Sequence, residues 1–270
     1  MIRIKDSDLS MLVLFIKRYY GINLTKKKKL LVSRLKNYLI ENNYDDFSVY
    51  SRDIIKDKNG KLTKDFLDMI TTNHTYFMRE FEHFKYFKKD ILPHLKSTVK
   101  DKDLRIWSAG CSSGEEPYTL AILIDDYLKE DRENWDTKIL ATDISSKALS
   151  IAKGGIYKNE KLELIPDSWK RKYFKRISEK NSQVKEEIKK EIIFRKFNIM
   201  RTVYPFKRKF HIIFCRNVMI YFDIDTRKKL VRKLFDNTHK RGYLFIGQAE
   251  SLNYSGSPYK YIMPGVYRKE

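Results

Sequence analysis

One stretch, RIWSAGCSSGEEPYTLAI at 105 to 122, limits the possible folds of this chain more than any other. It reads as an apolar strand, a turn of small residues from Ala109 to Gly114, and a helix beginning near Glu116-Pro117, where proline suits the first helical turn. Small residues let the backbone approach a ligand closely, and a strand–turn–helix of this kind belongs to a parallel α/β sheet with its ligand crevice at the strand ends. Further short apolar strands follow at LRIWSA (104–109), KILATD (138–143), FHIIFC (210–215) and GYLFIG (242–247), separated by helical stretches. That alternation predicts a parallel sheet over the second part of the chain. Lys and Glu dominate residues 157–195, which carry few core signals and read as an inserted subdomain at the sheet edge. KYIM and VYRK, broken by Pro264-Gly265, predict a closing hairpin.

The N-terminal part has a different period. Leu9, Leu12, Val13, Ile16 and Tyr20 recur at helical spacing over 7–20, with Ser7 as the candidate N-cap and Gly21 as the stop. Leu31, Leu35 and Leu39, then the apolar positions of 47–55 and 66–70, extend the pattern, so residues 1–75 are expected to form a small all-helical domain and 76–270 the sheet domain. A chain of 270 residues with 42% apolar content can fill a real core. It has no run of eighteen apolar residues, and its first ten, MIRIKDSDLS, lack the order of a signal peptide, which predicts a cytoplasmic protein without membrane insertion. Cys111 and Cys215 stand far apart with neither CxxC spacing nor a His cluster, so neither a disulfide framework nor a metal site is expected. The helices show no long exposed apolar seam, and a monomer is the expectation.

The balance of 56 Lys+Arg against 35 Asp+Glu leaves a formal charge of +21. Such a charge attracts acidic partners over roughly a Debye length, about 8 Å at physiological salt. Its lysines are spread along the chain (Lys26 to Lys29, Lys88-Lys89, Lys189-Lys190, Lys228-Lys229), so a Lys-rich background accounts for the charge as well as a nucleic-acid partner does.

The chemistry-bearing residues fall at the predicted strand ends. The Gly110-x-x-x-Gly114 turn is not the Gly-x-Gly-x-x-Gly of a dinucleotide loop, and Glu115 after it would repel a pyrophosphate while favouring an amine-bearing, cationic ligand such as S-adenosylmethionine. The alternative is a Gly-rich turn with a helix-capping Glu. Asp143, ending the next strand in ATDIS, is placed either to bind ribose hydroxyls or to cap the following helix. Arg216-Asn217 ends the strand FHIIFC, with Tyr221 about one turn on. TTNHTYFMRE at 71–80 packs Asn73, Thr75 and Arg79 into a short polar constellation, with His74 between the first two as a linker residue.

Taken in order and spacing, TTNHTYFMRE, WSAGCSSGEEPYTLAI, ATDIS, IIFCRNVMIYFD and GYLFIGQAESL resemble the signature segments of CheR-type chemotaxis receptor methyltransferases, and the resemblance spans essentially the whole chain. It implies an α/β, Rossmann-like methyltransferase sheet with a small N-terminal all-helical domain and a small inserted subdomain. It also implies transfer of a methyl group from S-adenosylmethionine to glutamate side chains of methyl-accepting chemotaxis receptors, on their acidic cytoplasmic helical bundle. By the same resemblance, Asn73, Thr75 and Arg79 line the cofactor pocket from the interdomain linker, beside the Gly110 loop, and Glu115 and Asp143 bind the methionine amine and the ribose. Asn198-Ile199, in KFNIM, lie beside the adenine, Arg216-Asn217 lie beside the cofactor, and Arg79 and Tyr221 face the transferring methyl. The stretch ISEKNSQVKEEIKKE (177–191), where relatives that grip a receptor's C-terminal peptide carry a Gly-containing loop, has no glycine. Direct docking on the receptor bundle is therefore expected over tethered recruitment.

Two rival readings are a methyltransferase of the same fold acting on RNA or DNA, and a catalytically silent sensor or scaffold. Against the first stands the lack of an Asn/Asp-Pro-Pro-Tyr segment, a zinc knuckle or an RNA-recognition signature. Against the second stand the intact Arg79, Glu115, Asp143 and Tyr221.

Overall fold

A computed structural model describes residues 4–25, 28–58, 60–71, 73–252 and 256–270, without the side chains of 28–30. The side chains of Lys26 to Lys29, and Thr72 of the TTNHTYFMRE segment, lie outside the described residues. The N-terminal helices are α1 (Asp6–Tyr20), α2 (Lys28–Glu41), α3 (Phe47–Lys56) and α4 (Lys61–Ile70). Their apolar faces meet in one core, in which Leu12 and Ile16 of α1 join Leu35 and Leu39 of α2, Phe47, Tyr50 and Ile54 of α3, and Phe66 of α4. Ser7 is not the N-cap of α1: the helix starts one residue earlier, Lys5 occupies the cap position, and no side chain caps it. Asp6 and Asp8 in the first turn favour that end by charge instead. At the other end Gly21 adopts the left-handed conformation (φ 75°) and its N–H closes on the Lys17 carbonyl, as the sequence predicts.

After a linker, α5 (Phe81–Tyr86), a π turn (Phe87–Ile91) and α6 (Leu92–Thr98) lead into the sheet domain. Pro93, with no N–H for an i−4 bond, is the second residue of α6, in the first turn after the π turn, where the helical ladder is already interrupted. The remaining elements in chain order are β1 (Ile106–Ala109), α7 (Glu115–Leu128), β2 (Ile139–Asp143), α8 (Ser146–Gly154), β3 (Ile156–Lys158), α9 (Asp167–Tyr173), β4 (Phe174–Arg176), β5 (Asn181–Val184), α10 (Glu186–Lys189), β6 (Ile192–Lys196), β7 (Phe210–Phe214), α11 (Ile224–Asn237), β8 (Thr238–Phe245), β9 (Lys260–Met263) and β10 (Val266–Arg268).

The main sheet runs β6-β2-β1-β7-β8-β10-β9. Its first five strands are parallel, while β10 and β9 close it as the expected antiparallel hairpin. From β1 the chain first extends the sheet through β2 and β6, then returns to add β7 on the other side of β1. The order therefore reverses between β1 and β7, and in an open α/β sheet the crevice outside the strand ends at that point receives the ligand. Both faces are filled: Phe214 stacks on Phe245 at 4.3 Å on one side, and Trp107 sits among Phe197, Tyr204, Phe206 and Phe210 on the other. The indole N–H of Trp107 donates to Thr142 (2.9 Å), which satisfies its one polar atom in the core. Cys111 and Cys215 are buried free thiols, and burial pushes both well above the ordinary thiol range.

The insertion differs from expectation at its far boundary and in its packing. Residues 192–196 form β6, an edge strand of the main sheet paired with β2, so the inserted part ends before Ile192 and not near 195. Within it β3, β5 and β4 make a separate antiparallel sheet, and Tyr157, Tyr173, Phe174, Val184 and Ile188 enter the core of the sheet domain. Phe77 of the linker packs edge-on against Tyr157 (4.9 Å) and Phe174 (5.6 Å). The apolar positions are isolated between charges, which is why the stretch reads as surface. The glycine-free turn between β4 and β5 is closed by Ser178, whose Oγ accepts from the Asn181 N–H (3.1 Å).

Polar contacts among the described residues fasten the helical domain to the sheet domain. Asn198 donates to the Tyr19 carbonyl (2.8 Å), the Asn23 N–H to the Tyr221 carbonyl (2.8 Å), and Ser145 to Asp68 (2.6 Å), while Lys17 pairs with Asp223 at 2.7 Å. At Gly21 an added Cβ would stand 3.0 Å from Met200 Cγ and Thr226 Cγ2, in a conformation that itself disfavours a side chain. Gly21→Ala should therefore lower stability by about 1–2 kcal/mol in urea unfolding; an unchanged midpoint would show that the joint between the domains tolerates a side chain.

Candidate active site

The carboxyl ends of four parallel strands open into a single cleft, and the helical domain forms its outer wall. β1 delivers Gly110, Cys111 and Ser112, β2 Asp143 and Ile144, β6 Phe197, Asn198 and Ile199, and β7 Arg216, Asn217 and Val218. Tyr20, Ile22, Ile70 and Thr71 line it from the helical side, and Asn73, His74, Thr75, Tyr76 and Arg79 from the linker. The space enclosed, mouth included, is about 1060 Å³.

The loop after β1 follows the strand ends because its amides are held from the sheet. The N–H groups of Gly110 and Cys111 both donate to the Thr142 carbonyl (2.7 and 2.9 Å), and the Ser112 N–H donates to Asp143 Oδ2 (2.8 Å). Gly110 (φ 89°) has no room for a side chain, since a Cβ would lie 2.5 Å from Val218 Cγ2. Asp143 also accepts from the Ser145 N–H (2.8 Å), and Ser145, not Asp143, is the N-cap of α8. Desolvation raises the Asp143 pKa against these backbone hydrogen bonds.

A buried ionic network closes the inner end. The Arg216 side chain, 2% exposed, donates to Glu116 Oε2 (3.0 Å) and Glu80 Oε2 (3.1 Å) and also to the Arg79 carbonyl, and its guanidinium lies over the Phe84 ring at 4.9 Å. Asn217 donates to the other Glu80 oxygen (3.1 Å), and Ser108 to Glu116 Oε1 (2.7 Å). Burial alone would raise the Glu80 pKa, but Arg216 and Asn217 outweigh it and hold the carboxyl below its ordinary range. Glu116 is more deeply enclosed, and there desolvation wins and pushes its pKa up. His83 donates from Nε2 to the Pro264 carbonyl (3.0 Å), and burial, then Arg216, lowers its imidazole pKa. Two carboxylates facing one guanidinium thus leave an excess of one negative charge at the inner wall when both are ionised.

The backbone here is unusual as well. Of eight non-glycine residues in the left-handed region among the described residues, Met78, Glu80, Ser112 and Asn217 flank the cleft. Each such position costs energy that the surrounding structure must supply, and such positions cluster at functional sites.

Asn73, Thr75, Arg79, Gly110, Asp143, Asn198, Ile199, Arg216, Asn217 and Tyr221 all line the cleft. Glu115 does not, which corrects the expectation for the amine ligand. Its carboxylate is fully buried away from the cleft, accepting from Ser113 Oγ (2.7 Å) and Lys161 Nζ (2.6 Å), and of the adjacent pair it is Glu116 that lines the cleft. Successive helical side chains point about 100° apart, so only one of an adjacent pair faces the ligand, and the sequence does not say which face of α7 packs on the sheet. Sequence reasoning also missed Glu80, although it ends the polar segment TTNHTYFMRE, and His74 contributes its carbonyl as an acceptor for Arg79 (2.7 Å).

With this geometry established, likeness to known proteins adds the family. CheR methyltransferase, SAM binding domain, matches residues 73–265, and CheR methyltransferase, all-alpha domain, matches 7–71. The chain belongs to the CheR methyltransferase family. It is 42% identical to a chemotaxis protein methyltransferase of Borreliella burgdorferi over 99% of this chain and 96% of that protein. It is also 32% identical to chemotaxis protein methyltransferase 1 of Pseudomonas aeruginosa, over 97% of each. The protein is thus an S-adenosylmethionine-dependent methyltransferase with a CheR helical domain, and among the described residues no helix is long and apolar enough to cross a membrane. The cleft fits that cofactor: a buried excess of negative charge suits a cationic amino acid end, Asp143 retains acceptor capacity beside its backbone bonds, and Ile144, Phe197 and Ile199 offer an apolar wall.

Arg216 is the member of this site that no other side chain replaces. Arg216→Lys keeps the charge but not the fork, so at least one of the bonds to Glu80, Glu116 and the Arg79 carbonyl is lost. A loss of about 1–3 kcal/mol is expected in urea unfolding of the cofactor-free protein; a variant as stable as the parent would mean that the network is not held by Arg216.

Proposed function

We propose that this CheR-family protein methylates glutamate side-chain carboxylates of bacterial chemoreceptors in the cytoplasm, as a monomer, giving glutamyl methyl esters and S-adenosylhomocysteine. The observation that carries the reading is the pairing, in one cleft, of a buried carboxylate excess at the inner end with Arg79 and Tyr221. The first suits a cation and the second an anionic acceptor. Bound there, S-adenosylmethionine supplies a methyl group on a sulfonium that leaves as a neutral thioether. Glu116 takes the methionine amine in the place first expected of Glu115, Asp143 takes the ribose hydroxyls, and Asn198-Ile199 flank the adenine. Asn73 and Thr75 line the pocket from the linker.

A glutamate carboxylate has an unperturbed pKa of about 4.3 and is ionised at neutral pH, so the acceptor needs no general base. What remains for the chain is alignment, which can contribute roughly 7–11 kcal/mol. Arg79 commits one guanidinium N–H to the His74 carbonyl and lies 6.0 Å from the Tyr76 ring, leaving further donors of its fork to orient the acceptor. Tyr221 packs beside the methyl or donates a hydrogen bond. The formal charge of +21 steers the enzyme to the acidic cytoplasmic bundle of the receptor. The glycine-free turn between β4 and β5 supports docking on that bundle itself over capture of a tethering peptide.

Receptor-containing membranes of the source organism, given tritiated S-adenosylmethionine and then alkali, should release label as methanol from receptor-sized bands; label on nucleic acid, or binding without transfer, would overturn the reading. Arg79→Ala is expected to lose about a hundredfold in turnover while keeping cofactor affinity within a few-fold, since it orients the acceptor; equal losses would reassign Arg79 to the cofactor. Because the Glu116 pKa is raised, acidification neutralises it earlier than an ordinary carboxyl. Calorimetric affinity for S-adenosylhomocysteine, which carries the same amine, should fall as the pH drops through that raised pKa, and Glu116→Gln should abolish this dependence.

A further inference from the structure

The cofactor loop at 110–114 is held from the sheet side by Thr142 and Asp143, but its other side faces the inserted subdomain. There Tyr157 of β3 donates its hydroxyl to the Ser113 carbonyl (2.6 Å), the Ser113 hydroxyl donates to Glu115 Oε2 (2.7 Å), and Glu115 Oε1 accepts from Lys161 Nζ (2.6 Å). Lys161 stands on the 3-10 turn Asn159–Leu162 that directly follows β3. Glu115 is fully buried and Tyr157 3% exposed, so these bonds are made in a nearly dry environment, while the lysine stem reaches in from a side chain 42% exposed. An acidic residue in a first helical turn ordinarily needs no such partner, because solvent and the helix dipole suffice. Here the carboxylate is turned away from water and from the cleft, and a cation from the inserted subdomain meets it.

We infer that Lys161 and Tyr157 are positioning residues: through Ser113 and Glu115 the inserted subdomain clamps the cofactor loop in the backbone shape that receives S-adenosylmethionine. The inference rests on the cofactor-site reading above and adds to it a role for the insertion inside the reaction. The loop carries left-handed residues at Gly110, Ser112 and Gly114, a shape that a free segment does not keep. Clamped on both sides, it is ordered before the cofactor arrives, and binding does not have to supply that order. The tie also neutralises Glu115, so the excess negative charge of the site stays with Glu80 and Glu116.

The test compares Lys161→Met, Lys161→Arg and the double variant Lys161→Met/Glu115→Gln by thermal midpoint, amide hydrogen exchange of residues 110–116 in cofactor-free protein, and calorimetric affinity for S-adenosylhomocysteine. Lys161→Met should speed exchange in the loop and weaken the ligand, each by about tenfold, the loss expected for one charge-assisted bond. Lys161→Arg should stay near the parent. The double variant removes the unpaired buried carboxylate but not the missing tie, so its midpoint should recover while the loop still exchanges fast and the ligand still binds weakly. The inference is overturned if the double variant regains loop protection and affinity together with the midpoint, or if Lys161→Met leaves loop exchange unchanged. Glu116→Gln run in parallel separates the two claims: normal affinity in that variant would sink the cofactor-site reading, while exchange in the ligand-free loop still decides the role of Lys161.

Discussion

The guanidinium of Arg216 is the constraint on which the site depends. A charge with 2% of its side chain exposed is stable only if every donor finds a partner, and Arg216 finds them on three separate segments: Glu80 and the Arg79 carbonyl on the linker, Glu116 on α7, and Phe84 on α5. The linker runs directly into α5, but both are distant in sequence from α7 and meet it at the end of β7. Removing the network would leave carboxylates stranded in a core, so the fold cannot relax away from it cheaply. The same network sets the sign of the cleft, because two acids share one base. Structure and chemistry here have one cause.

Around that centre the protein is assembled as three bodies pressed on a loop. The sheet holds 110–112 through Thr142 and Asp143, the helical domain closes the outer wall through Tyr19, Asn23 and Asp68, and the inserted sheet reaches the remaining side through Tyr157 and Lys161. The linker between the first two bodies carries Asn73, Thr75 and Arg79, and its position is fixed at both ends, by Ser112 Oγ donating to the Asn73 carbonyl (3.2 Å) and by Arg216 on the Arg79 carbonyl. A methyl transfer that needs no general base depends on alignment, and alignment depends on this bracing.

The sequence by itself determined the architecture. Apolar residues at helical spacing in α1 and α2, four short strands separated by helices, and the Pro264-Gly265 turn are local patterns, and local patterns specify local elements. Of the ten expected residues that line the cleft, Gly110, Asp143, Arg216 and Asn217 follow from the strand ends of a parallel sheet sharing one crevice, while Asn73, Thr75, Arg79, Asn198, Ile199 and Tyr221 came from the family resemblance. Likeness of whole segments, rather than any one residue, then gave the family. What only the tertiary structure decided is which of two adjacent carboxylates lines the cleft. Glu115 and Glu116 are chemically identical and neighbours on one helix, and the choice rests on how α7 is rotated against β1 and on a lysine 46 residues away that claims the other. The insertion escaped for the same reason: Tyr157, Phe174 and Val184 look like isolated apolar residues among charges until Phe77, on the linker, is packed against the first two of them.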